Sequence, residues 1–244
     1  MSMPGWWLAL LLGLWGWSGA RAEPAVPQDI RLASEVWQGY THADGTGLAW
    51  DILRQVFEPA GVALVIQSVP YTRSIGLVQR GEADAWVGSY RDEVDQGVFY
   101  PRWHYDSDRI TALGLRERAA PSLATLGEAR LVWMRGYEYQ RYLPNLKRYR
   151  EIQRRGGILT MLDYGHVDFY IDARTEVDEV LGGAADPARY RVTELMRLPI
   201  YPGFADTPRG RALAKLYDQR MAQLVKRGSL HPLFARWRQP YPFD

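Results

Sequence analysis

The sequence predicts an α/β fold of two lobes, each a mostly parallel sheet flanked by helices, joined by a two-segment hinge. Three observations carry that expectation. Strand and helix patterns alternate from residue 29 onward, and the same alternation restarts after residue 125. Two extended segments, near Leu113-Gly114-Leu115 and Ile200-Tyr201-Pro202, are placed to carry the chain from one unit to the other and back, and two such crossings make a hinge. The expected first lobe is discontinuous, residues 23–113 with 203–244, and the second is 114–202.

Ile30-Arg31-Leu32-Ala33 alternates with a period of two and predicts the first strand. Leu48, Ile52, Val56, Phe57 and Ala60 recur at helical spacing and stop before Gly61; Val62 to Ile66 is then a short apolar run suited to a second strand. A helix from Thr72 to Arg80 ends at Gly81, which reaches the left-handed C′ conformation at little cost, and Asp84-Ala85-Trp86-Val87 opens the third strand. The second unit reads as strand Arg130 to Met134, a turn at Gly136, a helix through Tyr139, another helix before Gly165, strand Asp168 to Ile171, and a helix from Ala173 to Leu181. Gly81-Glu82-Ala83-Asp84 and Gly165-His166-Val167-Asp168 are parallel, each a helix-ending glycine three residues before an Asp. A long helix from Pro208 to Arg227, with Ala212, Leu216, Met221 and Leu224 on one face, and a short one carrying Leu233, Phe234 and Trp237 complete the chain.

Residues 1–22 have the pattern of a signal peptide. An apolar run from Trp6 to Trp17, too short to span a membrane, precedes the small residues Ala20 and Ala22. Export without a cysteine for lipid attachment points to the periplasm, and the absence of cysteine also excludes disulfides and a thiolate nucleophile. Loss of that leader removes one of the 30 basic residues, Arg21, and none of the 28 acidic ones, a balance that gives no basis for a nucleic-acid partner. The four histidines, His42, His104, His166 and His231, show no metal-binding spacing, and no nucleophile elbow, P-loop or dinucleotide fingerprint occurs in context. No metal and no cofactor are implied.

The order of these motifs resembles the bacterial extracellular solute-binding proteins of family 3. Gly47-Leu48-Ala49-Trp50-Asp51 is similar to the family's first-helix opening, Val69-Pro70-Tyr71 through Gly81-Glu82-Ala83-Asp84 to its next turn and helix, Leu131 to Tyr137 to its strand and glycine turn, Asp168 to Asp172 to its acidic strand, and Lys226 to Trp237 to its tail. The resemblance implies the periplasmic-binding-protein type II fold, a small polar ligand (an amino acid or a related amine or organic acid) captured by hinge closure, an inner-membrane ABC permease as partner, and a monomer. It admits two alternatives: a ligand-sensing subunit for a membrane receptor, and a cyclohexadienyl-dehydratase-like enzyme recruiting Arg73 or Arg91 with Glu93 or His104. One departure bears on the ligand. The family's Thr-x-Thr-x-x-Arg loop, whose arginine grips a carboxylate, is here the shorter Gly88-Ser89-Tyr90-Arg91-Asp92-Glu93-Val94-Asp95, so either Arg91 or Glu93 faces the cleft.

Ligands of open parallel sheets sit beyond the carboxyl ends of the strands. That places Trp37 and Tyr40 as aromatic walls, Tyr71 and Arg73 at a helix opening, Ser89, Tyr90 and Arg91 after the third strand, and Arg135, Gly136 and Tyr137 between strand and helix in the second lobe. Asp172 is expected either to accept from a ligand amine, as the resemblance implies, or to cap the helix after it. Trp86, Trp133 and Phe169, inside strands, are core candidates, and Trp103 to Asp108 reads as cleft rim or hinge packing.

Overall fold

The computed structural model describes residues 27–243, so the expected leader lies outside the described residues. The alternation at residue 30 becomes β1 (Asp29–Ser34), with Ile30 and Leu32 buried. It pairs parallel with β2 (Ala63–Ser68) and with β3 (Ala85–Tyr90). Between them run α1 (Leu48–Phe57), continued by a 3-10 turn over Glu58–Ala60, and α2 (Tyr71–Gln79). After the two-residue β4 (Val98–Phe99), β5 (Asp106–Leu115) leaves the first lobe. The second lobe holds β6 (Arg130–Met134), β7 (Arg148–Ile152), α3 (Ile158–Asp163), β8 (Phe169–Ala173) and α4 (Arg174–Gly182). Here β6 pairs parallel with both β7 and β8. The 16-residue β9 (Tyr190–Ala205) returns to the first lobe, where α5 (Pro208–Lys226) and α6 (His231–Arg236) pack.

All nine strands share one curled sheet in the order β2-β1-β3-β9-β5-β8-β6-β7, with β4 on β9. β5 and β9 run antiparallel from Asp106↔Ile200 to Leu115↔Tyr190 and are the two segments joining the lobes. The crossing in β5 falls earlier than Leu113-Gly114-Leu115. Ile110 to Leu113 already pair with β8, whereas on β9 residues 200–204 pair with β3, so both strands change partners between the levels of Asp106 and Ile110.

The repeated Gly-x-x-Asp has one structural meaning. Asp84 accepts from the backbone N–H of Arg31 (2.8 Å) and from its guanidinium (2.8 Å), and Asp168 does the same for Arg130 (2.7 and 2.7 Å). Each buried carboxylate thereby ties the start of its strand to the first strand of its lobe. A second arginine backs each one: Arg209 at 2.9 Å from Asp84 and Arg118 at 3.0 Å from Asp168, and the paired guanidinium groups hold both carboxyls below the usual carboxylate range against the opposing effect of burial.

Two element expectations change. The helix through Tyr139 is only a 3-10 turn, Tyr139–Arg141, entered from Glu138 in the left-handed region (φ 50). On α5 the buried line is Leu213, Ala214, Tyr217 and Met221, while Ala212, Leu216 and Leu224 flank it half-buried. That line meets α1, whose Trp50, Leu53, Val56 and Phe57 belong to the same core, and Phe57 lies 6.4 Å from Tyr217 ring to ring. A smaller core in the second lobe gathers Leu113, Val132, Ile158, Leu162, Tyr170 and Val177.

Candidate functional site

A cavity of about 50 Å³, room for roughly four waters, lies where the carboxyl ends of β1, β3 and β8 converge. The first lobe supplies Trp37, Tyr40 and Thr41 after β1, Tyr71 at the start of α2, Gly88 and Tyr90 on β3, Glu93, Tyr105, Asp108 on β5 and Ile200 on β9; the second supplies Tyr137, Asp172, Ala173, Thr175 and Glu176. Local backbone chemistry positions these side chains. β3 carries a bulge between Trp86 and Ser89, where Gly88 takes φ 94 and lets the Trp37 ring approach the strand closely. The loop before α1 folds back through Thr41, whose hydroxyl donates to Glu35 O (2.7 Å) and accepts from Trp37 N–H (3.1 Å).

The rings form a bridge between the lobes. Tyr71 sits 5.7 Å from Trp37 and 5.5 Å, edge to face, from Tyr137, and Trp37 Nε1–H donates to the Tyr137 hydroxyl (3.4 Å). Beyond the cavity wall Arg155 donates to the same hydroxyl (2.9 Å) and to Asp172 (3.2 Å), which also accepts from Tyr139 (3.3 Å) and from the Tyr170 hydroxyl. Further out, Arg141 crosses between lobes to Asp95 (3.0 Å) and the Asp92 carbonyl (3.1 Å), and the Tyr142 hydroxyl donates to the Arg91 carbonyl (3.0 Å). The two lobes are thus in contact around the cavity.

Carboxyls dominate its chemistry. Burial pushes Glu93 up to about 8, although its oxygens accept from the Tyr71 hydroxyl (2.7 and 2.8 Å), Ser89 (3.0 Å) and Tyr90 N–H (3.1 Å). Asp108, half-buried and facing the cavity, is raised by burial to about 7, with the Tyr90 hydroxyl donating at 2.8 Å. Glu176 is raised by burial, then by Asp172 and Asp108, to about 8. Burial likewise raises Asp172 against the pull of Arg155.

Searches with family models and of curated proteins give no match. Among solved structures, the ligand-binding core of GluR0 with L-glutamate superposes with a TM-score of 0.68 at 16% identity, covering 86% of this chain and 98% of the other. A histidine kinase sensor domain with similarity to periplasmic binding proteins gives 0.68 at 14%, covering 86% and 96%. A substrate-binding protein of an amino acid ABC transporter from Streptococcus pneumoniae, bound to L-arginine, gives 0.64 at 16%, covering 86% and 94%. The chain has the two-lobe periplasmic-binding-protein type II fold.

In that fold the cavity occupies the interlobe cleft. Of the residues singled out in the sequence, Trp37, Tyr40, Tyr71, Tyr90, Tyr137 and Asp172 line it. Ser89 lies one step behind, holding Glu93. Arg91 turns away: its guanidinium donates to the Pro101 carbonyl (2.6 Å) and lies 4.3 Å over the Tyr201 ring, so of the two candidates in the shortened loop Glu93 faces the cavity. Arg73 is exposed on α2 outside the lining, and Arg135, also exposed, borders a second pocket with Glu35 and Thr72. Gly136 (φ 87) approaches Thr72 across the lobes, where a Cβ would stand 2.7 Å from the threonine methyl. Ala173, not Asp172, is the N-cap of α4; the Asp172 carboxylate accepts from Ala173 N–H (2.8 Å). His104 stacks on Phe243 (4.8 Å) away from the cavity, so the arginine and histidine considered for dehydratase chemistry are not gathered in it. Sequence reasoning missed Glu176 and Arg155, and placed Asp108 only within the run read as cleft rim or hinge packing. The i, i+4 spacing of Asp172 and Glu176 across the start of a helix was the one available signal.

Among the described residues no helix is long and apolar enough to cross a membrane, and no group of three His, Asp or Glu residues is arranged to hold a metal ion.

Proposed function

We propose that the protein is an exported, periplasmic solute-binding protein that captures a small polar ligand by closure of its two lobes and delivers it to an inner-membrane importer. The observation that carries this reading is the cavity itself: it is lined from both lobes, at the carboxyl ends of parallel strands, and closed over by direct lobe-to-lobe contacts. Contacts to a ligand from both sides exist together only when the lobes meet, so a ligand shifts the open and closed populations by its differential affinity. The first lobe holds the walls Trp37 and Tyr71; the second brings Tyr137, Asp172 and the N-terminus of α4 against them. Its site residues on this reading are the lining residues above, with Ser89 and Arg155 positioning Glu93 and Asp172.

A sensory use of the same closure is the second reading, favoured by the likeness to a histidine kinase sensor domain. Importer and sensor share the capture step and differ in the docking partner.

Thermal melting of the purified protein against amino acids, amines, organic acids, small sugars and prephenate tests the capture step. A ligand that binds only the folded state raises the melting temperature with concentration, and scattering should then show a smaller radius of gyration with the same compound. The compound should be recovered unchanged. Conversion of prephenate would replace binding by catalysis, and a flat response to every class would remove the solute-binding reading.

A further inference from the structure

The cavity lining contains four carboxyl residues, Glu93, Asp108, Asp172 and Glu176, and no lysine, arginine or histidine. Two of the four are already served by the protein. Glu93 accepts from Tyr71, Ser89 and a backbone N–H, and Asp172 from Arg155, two tyrosines and a backbone N–H. The other two have less: the Tyr90 hydroxyl for Asp108, and for Glu176 only the hydroxyl of its neighbour Thr175 (2.7 Å). Glu176 is nevertheless buried. Two carboxyls short of donors, lining the same small space walled by aromatic rings, want a donor that carries positive charge. A carboxylate in the same space would have no cationic side chain in the lining and four acids around it.

We infer that the cavity selects small organic ammonium ions, taking the ammonium on Asp108 and Glu176 and the carbon chain on the faces of Trp37, Tyr71 and Tyr137, with no cationic side chain for a ligand carboxylate. The inference rests on the solute-binding reading and narrows its ligand class. An ammonium has three donors and no acceptor, matching acceptor groups on two sides, and an aromatic face attracts the polarised methylene next to it. The volume of about 50 Å³ suits a molecule of few heavy atoms.

The test is calorimetric titration of the purified protein with amines and their carboxylated counterparts: isobutylamine against L-valine, and putrescine against L-ornithine. The amine of at least one pair should bind saturably, and its amino acid at least tenfold more weakly. Asp108→Asn and Glu176→Gln should each weaken that binding roughly 30-fold, as for loss of one partner of a buried charge pair, while the ligand-free melting temperature holds or rises. An amino acid that binds as well as its amine, or normal amine binding by both variants, overturns the inference. If the amines are inert and a sugar, organic acid or amino acid binds instead, the cation fails and the solute-binding reading stands. If no class binds, both fail.

Discussion

Gly88 shows how a single residue can set the shape of the cleft. Its φ of 94 is a backbone state that side chains rarely adopt, and a Cβ there would stand 2.5 Å from the Trp37 ring. Gly88→Ala should therefore cost about 2 kcal/mol of stability, from backbone strain and overpacking together. It should also push Trp37 off β3, so that affinity for any cleft ligand falls by roughly tenfold or more; melting and titration of the variant check the two effects separately. A stable variant with unchanged affinity would mean that the ring does not depend on the bulge. Aromatic lining of this kind was legible in the sequence, since Trp37 and Tyr40 follow a strand in a polar loop that a purely structural role explains less well, Tyr71 opens the helix after the next strand, and Tyr137 lies between strand and helix in the second lobe. Charge was not. Arg91 and Glu93 sit two residues apart, and only the backbone turn at Asp92 (φ 62) decides that the acid points inward while the arginine reaches the Pro101 carbonyl. Arg155 lies in a loop between β7 and α3, and nothing local marks it as the partner of an acid 17 residues away.

At the scale of elements, the strands with apolar alternation and the helices with glycine stops were readable, because burial on one face dictates their pattern. β7 escaped: Arg148-Tyr149-Arg150-Glu151-Ile152 is a largely exposed edge strand whose charges protect the edge rather than signal a core. The length of β9 escaped too, since its first half pairs with β5 while half-exposed and carries Pro199 and Pro202 further on. The junction of β9 with β3 is the tightest of these contacts. Gly203 pairs with Trp86, and a Cβ on Gly203 would fall inside the buried indole. Gly203→Ala should lower stability by about 2–3 kcal/mol through overpacking. Its melting temperature should fall by roughly 5–10 °C on the usual scaling for a chain of this size, with ligand affinity retained if the residue is structural alone; a melting temperature equal to the parent's would show that Trp86 yields freely.

For the molecule as a whole, the buried acids make stability depend on pH in a defined direction. Burial raises Glu93 and Glu176 to about 8 and Asp106 and Asp108 to about 7, above the values these groups have in an unfolded chain. The folded state therefore binds protons that the unfolded state has already released, and the stability from these groups, full below pH 4, is lost as pH rises through 7 and 8. Asp84 and Asp168 act in the opposite sense: their paired arginines lower them, so their contribution is present above the unfolded value near pH 4 and lost as pH falls below it. Between the two sets, the ligand-free protein should be most stable near pH 4, where the unfolded values of both sets fall, and melt roughly 5 °C or more lower at pH 8.5. Arg155 beside Asp172 stays charged throughout this range and does not move the optimum. A bound ammonium ion would reverse the alkaline loss, because it supplies the charge that lets Asp108 and Glu176 ionise in place. The gap in melting temperature between liganded and free protein should then widen from pH 6 to pH 8.5, and a gap that narrows would separate the buried acids from ligand capture.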